Sequence, residues 1–311
     1  LVATVAPFDP NYSTKTATAW LDSANLTGAA HPTLNADKSI SGGGTAIAAP
    51  VWSAASTADF TMSDSLQSST PYTSPALIQA TGGSVGVVEF MFAKGDAGNI
   101  DAAANARFTN ITALGFQNLV ANGKVSLAAF TGNVADTDTL VCLVGRDNDS
   151  GTRLAAAFET GLNDVNYPMK QFKVYDSSNN DVGSTGSGQI ADIELLADTH
   201  AGYSGGGSVK NALNATVSPT ATINGAAAKF ILVGYLGTGD KPSASSKFLS
   251  YNGVAWDNTG AATQLGQYTF WTYEQAYFRS DLDTTKKTLV NNIVKKIRPL
   301  AAAANGVTTA S

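Results

Sequence analysis

Apolar residues cluster along this chain in short continuous runs, not in long amphipathic stretches. Val85-Gly86-Val87-Val88-Glu89-Phe90-Met91-Phe92, Thr139-Leu140-Val141-Cys142-Leu143-Val144 and Phe230-Ile231-Leu232-Val233-Gly234-Tyr235-Leu236 each predict a buried strand. Tyr268-Thr269-Phe270-Trp271-Thr272-Tyr273 predicts another, and Ala58-Asp59-Phe60-Thr61-Met62 a shorter one that ends at Ser63-Asp64. Helical spacings fall between them. Asn110-Ile111-Thr112 precedes a helix through Phe116 and Leu119, stopped by Asn122-Gly123. Residues 153–160 bring Leu154, Ala157 and Phe158 onto one helical face. A last helix is predicted over 284–297, with Lys295, Lys296 and Arg298 at its end, where the helix dipole favours cations. Pro299 is expected to stop it.

The first 45 residues have weak periodicity. Ser41-Gly42-Gly43-Gly44 reads as a sharp turn, followed by a short helix from Thr45 that Pro50 limits. Lys94-Gly95-Asp96-Ala97-Gly98 is a polar break. Strands alternating with helices predict an α/β fold with substantial parallel pairing. No internal repeat of solenoid length is present.

A chain of 311 residues is long enough for two domains. Charged residues make up 14%, against a usual value of about 25%. Ala, Thr, Ser, Gly and Asn replace them, which suits an exported protein. The chain opens on Leu1 without a charged, apolar leader, the pattern expected after removal of an export signal or in a trimmed chain. The expected location is periplasmic or extracellular. The net charge of −5 and the lack of a basic block speak against nucleic acid as a partner. Cys142 is alone, so no internal disulfide forms, and its apolar neighbours predict a buried thiol. His31 and His200 lie far apart, so no metal cluster is expected. There is no Gly-x-Ser-x-Gly elbow and no Ser/His/Asp set. The chain is therefore read as a non-enzyme without a cofactor.

The segment with the most chemistry is Arg146-x-x-x-Ser150-Gly151-Thr152, between a buried strand and a helix. A helix N-terminus offers unpaired N–H groups and a partial positive charge. Ser150 and Thr152 add hydroxyls, Gly151 lets a ligand approach the backbone, and Arg146 adds a planar fork of donors suited to an oxyanion. The plainer alternative is a helix N-cap with Arg146 paired to a surface Asp.

Gly145-Arg146-Asp147-Asn148-Asp149-Ser150-Gly151-Thr152 resembles the phosphate-contacting loop of the phosphate-binding proteins of ABC phosphate transporters. Ala58-Asp59-Phe60-Thr61-Met62-Ser63-Asp64 resembles that family's strand delivering Ser-Asp to the cleft, Val233-Gly234-Tyr235-Leu236 its second-lobe strand, and Tyr268-Thr269-Phe270-Trp271 the strand returning to the first lobe. The resemblance covers residues 40–298. It implies a two-lobed fold like that of periplasmic binding proteins, with a ligand cleft between lobes. Lobe one is expected to hold residues 1–91 and 266–311, and lobe two 92–265. Phosphate or a similar oxyanion is the implied ligand and a transporter's membrane component the implied partner. The implied site comprises Ser41, Asp64, Arg146, Ser150, Gly151 and Thr152. An aspartate acceptor at 64 selects phosphate, which carries a proton, over sulfate, which does not. The chain departs from the family in two places. No Thr-Gly-Ala-Gly-like loop follows Leu1-Val2-Ala3-Thr4-Val5, and Asn148 stands where an Asp usually orients the arginine.

The alternative reading is structural: a filament or surface-layer subunit on the same fold that self-assembles by adding an N-terminal strand to a neighbour's sheet. The aromatic stretch Tyr268, Phe270, Trp271, Tyr273, Tyr277 and Phe278 is read as core, and Tyr203-Ser204-Gly205-Gly206-Gly207-Ser208 as a flexible turn.

Overall fold

The computed structural model describes residues 59–305 except 75 and 97, together with three two-residue strands nearer the N-terminus. These are β1 (Ala3–Thr4), β2 (Thr33–Leu34) and β3 (Ile40–Ser41). The expected helix from Thr45 lies outside the described residues. In chain order there follow β4 (Phe60–Ser63), β5 (Leu77–Lys94), α1 (Ala102–Arg107), β6 (Asn110–Ile111), α2 (Ala113–Asn122), β7 (Lys124–Ser126), α3 (Ala128–Thr131), β8 (Thr139–Val144) and α4 (Gly151–Glu159). Next come β9 (Phe172–Tyr175), α5 (Val182–Thr185), β10 (Ile190–Leu195), α6 (Gly206–Asn214), β11 (Val217–Ile223), β12 (Ala226–Ala227), β13 (Lys229–Gly237) and β14 (Ser250–Tyr251). The chain ends with α7 (Ala261–Gln264), β15 (Trp271–Arg279) and α8 (Thr284–Asn305).

The main sheet has seven strands in the order β1-β4-β15-β5-β13-β8-β7. It is mixed, not mostly parallel: within it only β1/β4 and β13/β8 run parallel. The long antiparallel β5 accounts for the difference, because it serves both halves of the sheet. Residues 77–89 pair with β15, and residues 90–94 pair with β13. The chain crosses back just before β15, where the Phe90 amide donates to the Phe270 carbonyl at 2.9 Å.

Three apolar cores follow from this division. Two lie on opposite faces of the β5–β13–β8 half, one under α1, α2 and α4, the other under α6 and the four-stranded sheet β12-β11-β10-β9. The third gathers Ala80, Val85, Ala276, Phe278, Val290 and Val294 under α8. The fold is a two-lobed α/β arrangement, each lobe with its own core and β5 running through both. Phe92 fastens the crossing, with ring centroids 4.9 Å from Phe270 and 5.1 Å from Phe116.

Local signals explain most elements. Thr112 caps α2 by accepting from the Gly115 amide at 3.0 Å, and Gly123 ends it with a left-side φ of 76°. Lys94 does not belong to a loose polar break. It is buried, and its ammonium donates to the Asn105 and Phe108 carbonyls at the end of α1. Pro299 does not stop α8, which continues to Asn305. A proline removes only its own N–H from the ladder, and the alanines that follow have the highest helix propensity. The aromatic stretch divides: Tyr268, Phe270, Tyr277 and Phe278 are buried, whereas Tyr273 is half exposed and Trp271 only partly covered. Ala3–Thr4 pairs in parallel with Phe60–Thr61 of its own sheet, the position the filament reading assigned to a neighbour's strand.

Candidate functional site

The loop after β8 is held from below. The Tyr235 hydroxyl accepts from the Arg146 amide at 3.1 Å and donates to Gln171 Oε1 at 2.9 Å. Gln171 in turn donates to the Arg146 and Ala201 carbonyls. Arg153, 4% exposed, donates to the carbonyls of Arg146, Tyr167 and Thr199, each at 2.9–3.0 Å. Its guanidinium is thus a structural tie and does not face a ligand.

Ser150 is the N-cap of α4, accepting from the Arg153 amide at 3.3 Å. The helix starts at Gly151, two residues before the sequence pattern placed it. Its first N–H groups, at Gly151 and Thr152, have no intrahelical carbonyl to reach. Thr152 is 7% exposed, and its hydroxyl has no hydrogen-bond partner among the described residues.

Arg146 takes its orientation from backbone, not from an acid. Nε donates to the Tyr203 carbonyl at 3.1 Å and Nη2 to the Ser204 carbonyl at 2.9 Å. The predicted flexible turn is therefore a built support. Tyr203 is buried, its hydroxyl donates to Asp181 at 3.0 Å, and Gly206 opens α6.

Asp64 meets this loop from beyond β5, at the end of β4 in the main sheet. It follows β4 directly, and Thr272 of β15 donates to its carbonyl oxygen at 2.8 Å. Its carboxylate lies against the Cα of Gly151: a Cβ built there would sit 1.5 Å from Oδ1. Asp64, Arg146, Ser150, Gly151 and Thr152 line one recess of about 240 Å³, with Met62, Ser63, Asp149 and Glu274. Five of the six residues singled out in the sequence thus converge. Ser41 lies in the β2–β3 ribbon, apart from the main sheet, and its side chain is outside the described residues.

One acid of the recess, Glu274, and the contacts of Tyr72 and Thr269 beside it escaped the sequence reading. Glu274 faces the same space as Asp64, and burial together with the Asp64 charge pushes its carboxyl up to about 7. Burial also raises Asp64, while Arg146 pulls it down. Tyr72, in the stretch between β4 and β5, donates to Asp149 of the loop after β8. Thr269 makes another contact, donating to Glu159 at 2.5 Å. The one signal for Glu274 was an acid inside a strand of aromatic and β-branched residues. The predicted strand stopped at Tyr273, one position short of it.

One guanidinium, a helix N-terminus and two hydroxyls therefore face a small space together with three carboxylates, two of which hold their protons more tightly than usual. Such a set can clasp an anion that offers a proton to one carboxylate while accepting from the donors.

No family model matches this chain, and no curated protein does. Solved structures do. The chain is similar to phosphate receptors. An ABC-type phosphate transport receptor from Vibrio cholerae is 13% identical, with 81% of this chain and 80% of that one covered and a TM-score of 0.45. A putative phosphate ABC transporter substrate-binding protein with bound phosphate from Clostridium perfringens is 12% identical, covering 82% and 80%, with a TM-score of 0.47. A phosphate-binding protein from Stenotrophomonas maltophilia is 13% identical, covering 81% and 76%, with a TM-score of 0.42. The similarity is distant, so the reading of the recess rests on its own geometry.

Proposed function

We propose that this protein is an extracytoplasmic solute-binding protein that closes its two lobes on a small tetrahedral oxyanion, phosphate foremost. The observation that carries the reading is the meeting of Asp64 from one lobe with Arg146 and the first turn of α4 from the other, around a single recess. Ligand donors are the Arg146 guanidinium, the Gly151 and Thr152 amides and the Thr152 hydroxyl. Ser150 keeps its oxygen on the helix and still has a proton to give. Asp64 is the acceptor for the proton of the bound anion. Ligand bridging both lobes stabilises the closed arrangement, the state that a transporter's membrane component recognises. The lobes divide near residues 91 and 266, at the two crossings between them.

Isothermal titration calorimetry tests this. Phosphate is expected to bind with a stoichiometry of one, and sulfate at neutral pH to give no measurable heat, because it leaves Asp64 facing an unprotonated oxygen. Absence of heat with both ligands rejects the reading.

A further inference from the structure

α4 lines two cavities, not one. Its first turn borders the polar recess, and its next two turns, through Leu154, Ala155, Phe158 and Glu159, border an adjoining space of about 440 Å³. Residues 151, 154, 155 and 158 fall on one helical face, so the cavities lie end to end along it. Asp64 belongs to both walls and stands between them. Opposite the helix, β15 contributes Trp271 and Tyr273, whose rings meet edge to face with centroids 5.2 Å apart. Leu66 completes the apolar wall.

Three of these apolar side chains are unusually open for their size: Leu66 is 47% exposed, Phe158 37% and Tyr273 48%. Inorganic phosphate uses none of them. The recess alone is small, whereas the adjoining groove already has the size of an ordinary ligand site, and the two joined pair an apolar lining with a few convergent polar groups. The charge is arranged to match: the guanidinium, the α4 N-terminus and the Thr152 hydroxyl, which has no partner among the described residues, are all at the polar end. The two ends thus fit an amphiphilic small molecule better than a bare ion.

We infer that the ligand is an organic oxyanion, a monoester or similar molecule with its anionic head in the recess and a flat apolar body in the groove between Phe158 and the Trp271–Tyr273 pair. This rests on the oxyanion reading and extends it to a substrate class. The ester oxygen leads from the head into the groove beside Asp64, and the monoanionic head keeps one P–OH to donate to that carboxylate. The aryl or alkyl body covers the ring faces that are otherwise in water, and burial of apolar area supplies the added affinity.

The test compares inorganic phosphate, phenyl phosphate and benzyl alcohol on the intact protein at about pH 5, where both phosphates carry a P–OH for Asp64, by calorimetry and by Trp fluorescence. Phenyl phosphate is expected to bind at least about tenfold more tightly than phosphate, equivalent to about 1.4 kcal/mol. The ratio of the two dissociation constants is expected to fall towards one in Phe158→Ala, and likewise in Tyr273→Ala, where truncation of a half-exposed ring leaves folding intact. Binding of phosphate with no gain for phenyl phosphate overturns the inference and leaves the oxyanion reading standing. Binding of neither anion overturns both. Binding of benzyl alcohol that phosphate does not strengthen, with phenyl phosphate no tighter than the alcohol, also overturns it.

Discussion

Gly151→Ala is the sharpest perturbation of the site. Gly151 has an ordinary helical backbone, so the substitution introduces no backbone strain. By itself it should favour α4 by up to about 1 kcal/mol. Its cost is entirely in the Asp64 contact. The new methyl would lie 1.5 Å from Asp64 Oδ1, where a normal contact is about 3.4 Å, so the carboxylate must retreat by about 2 Å. A retreat of that size takes the acceptor out of hydrogen-bond reach of an anion held on the Arg146 side. A hydrogen bond involving a charged group contributes about 1.5–3 kcal/mol, so phosphate affinity should fall roughly 10- to 150-fold. The thermal midpoint should stay level or rise slightly. Calorimetry and a melt on the same sample measure both. The double variant Gly151→Ala/Asp64→Ala removes the collision, and the two losses should then be strongly non-additive. Unchanged affinity in Gly151→Ala, or additive losses in the cycle, would refute a shared role for these two residues in holding ligand.

Other outcomes follow from the same geometry. Glu274 keeps its proton up to about 7 in the folded chain against 4.5 for the free group, so between these values the folded state binds more protons than the unfolded state. Stability should therefore decline as pH rises from about 4.5 through 7, and Glu274→Gln should flatten that decline in denaturant titrations. A steeper decline in the variant would contradict this. Arg153→Met removes three hydrogen bonds to part-buried carbonyls and should cost about 3 kcal/mol in chemical denaturation, with ligand binding lost as the loop loosens. A loss under 1 kcal/mol would show that the tie is dispensable. The Cys142 thiol, fully buried and pushed far up by that burial, should resist thiol reagents until the protein unfolds. Fast labelling of the native chain would show that β8 opens.

Much of the fold was legible in the sequence, wherever local and long-range signals agree. β8 and β13 are apolar runs buried on both faces, and the structure places them side by side in parallel, Thr139 opposite Lys229. α2 has its cap and its terminal glycine where the sequence put them. The misread elements are those decided by distant partners. The predicted strand began only at Val85, yet β5 runs from Leu77 through Gly82 and Gly83 with positive φ and a shift of register against β15. The strand survives there because Arg298 of α8, far along the chain, donates to the Gly82 and Ser84 carbonyls. The same holds for the site. The Arg146 to Thr152 loop carries its chemistry within seven residues, so it could be read directly. The supports of Arg146 at Tyr203 and Ser204 and the acid at Glu274 come from elsewhere in the chain, and no local pattern connects them to the loop.

A crystal of the protein grown with arsenate, a tetrahedral oxyanion that carries the same proton and scatters anomalously, tests the central claim most directly. The account predicts one strong anomalous peak in the recess, within hydrogen-bond distance of Arg146 and Thr152 and beside the Asp64 carboxyl. An empty recess at saturating arsenate, or a peak only on the outer surface, would contradict it.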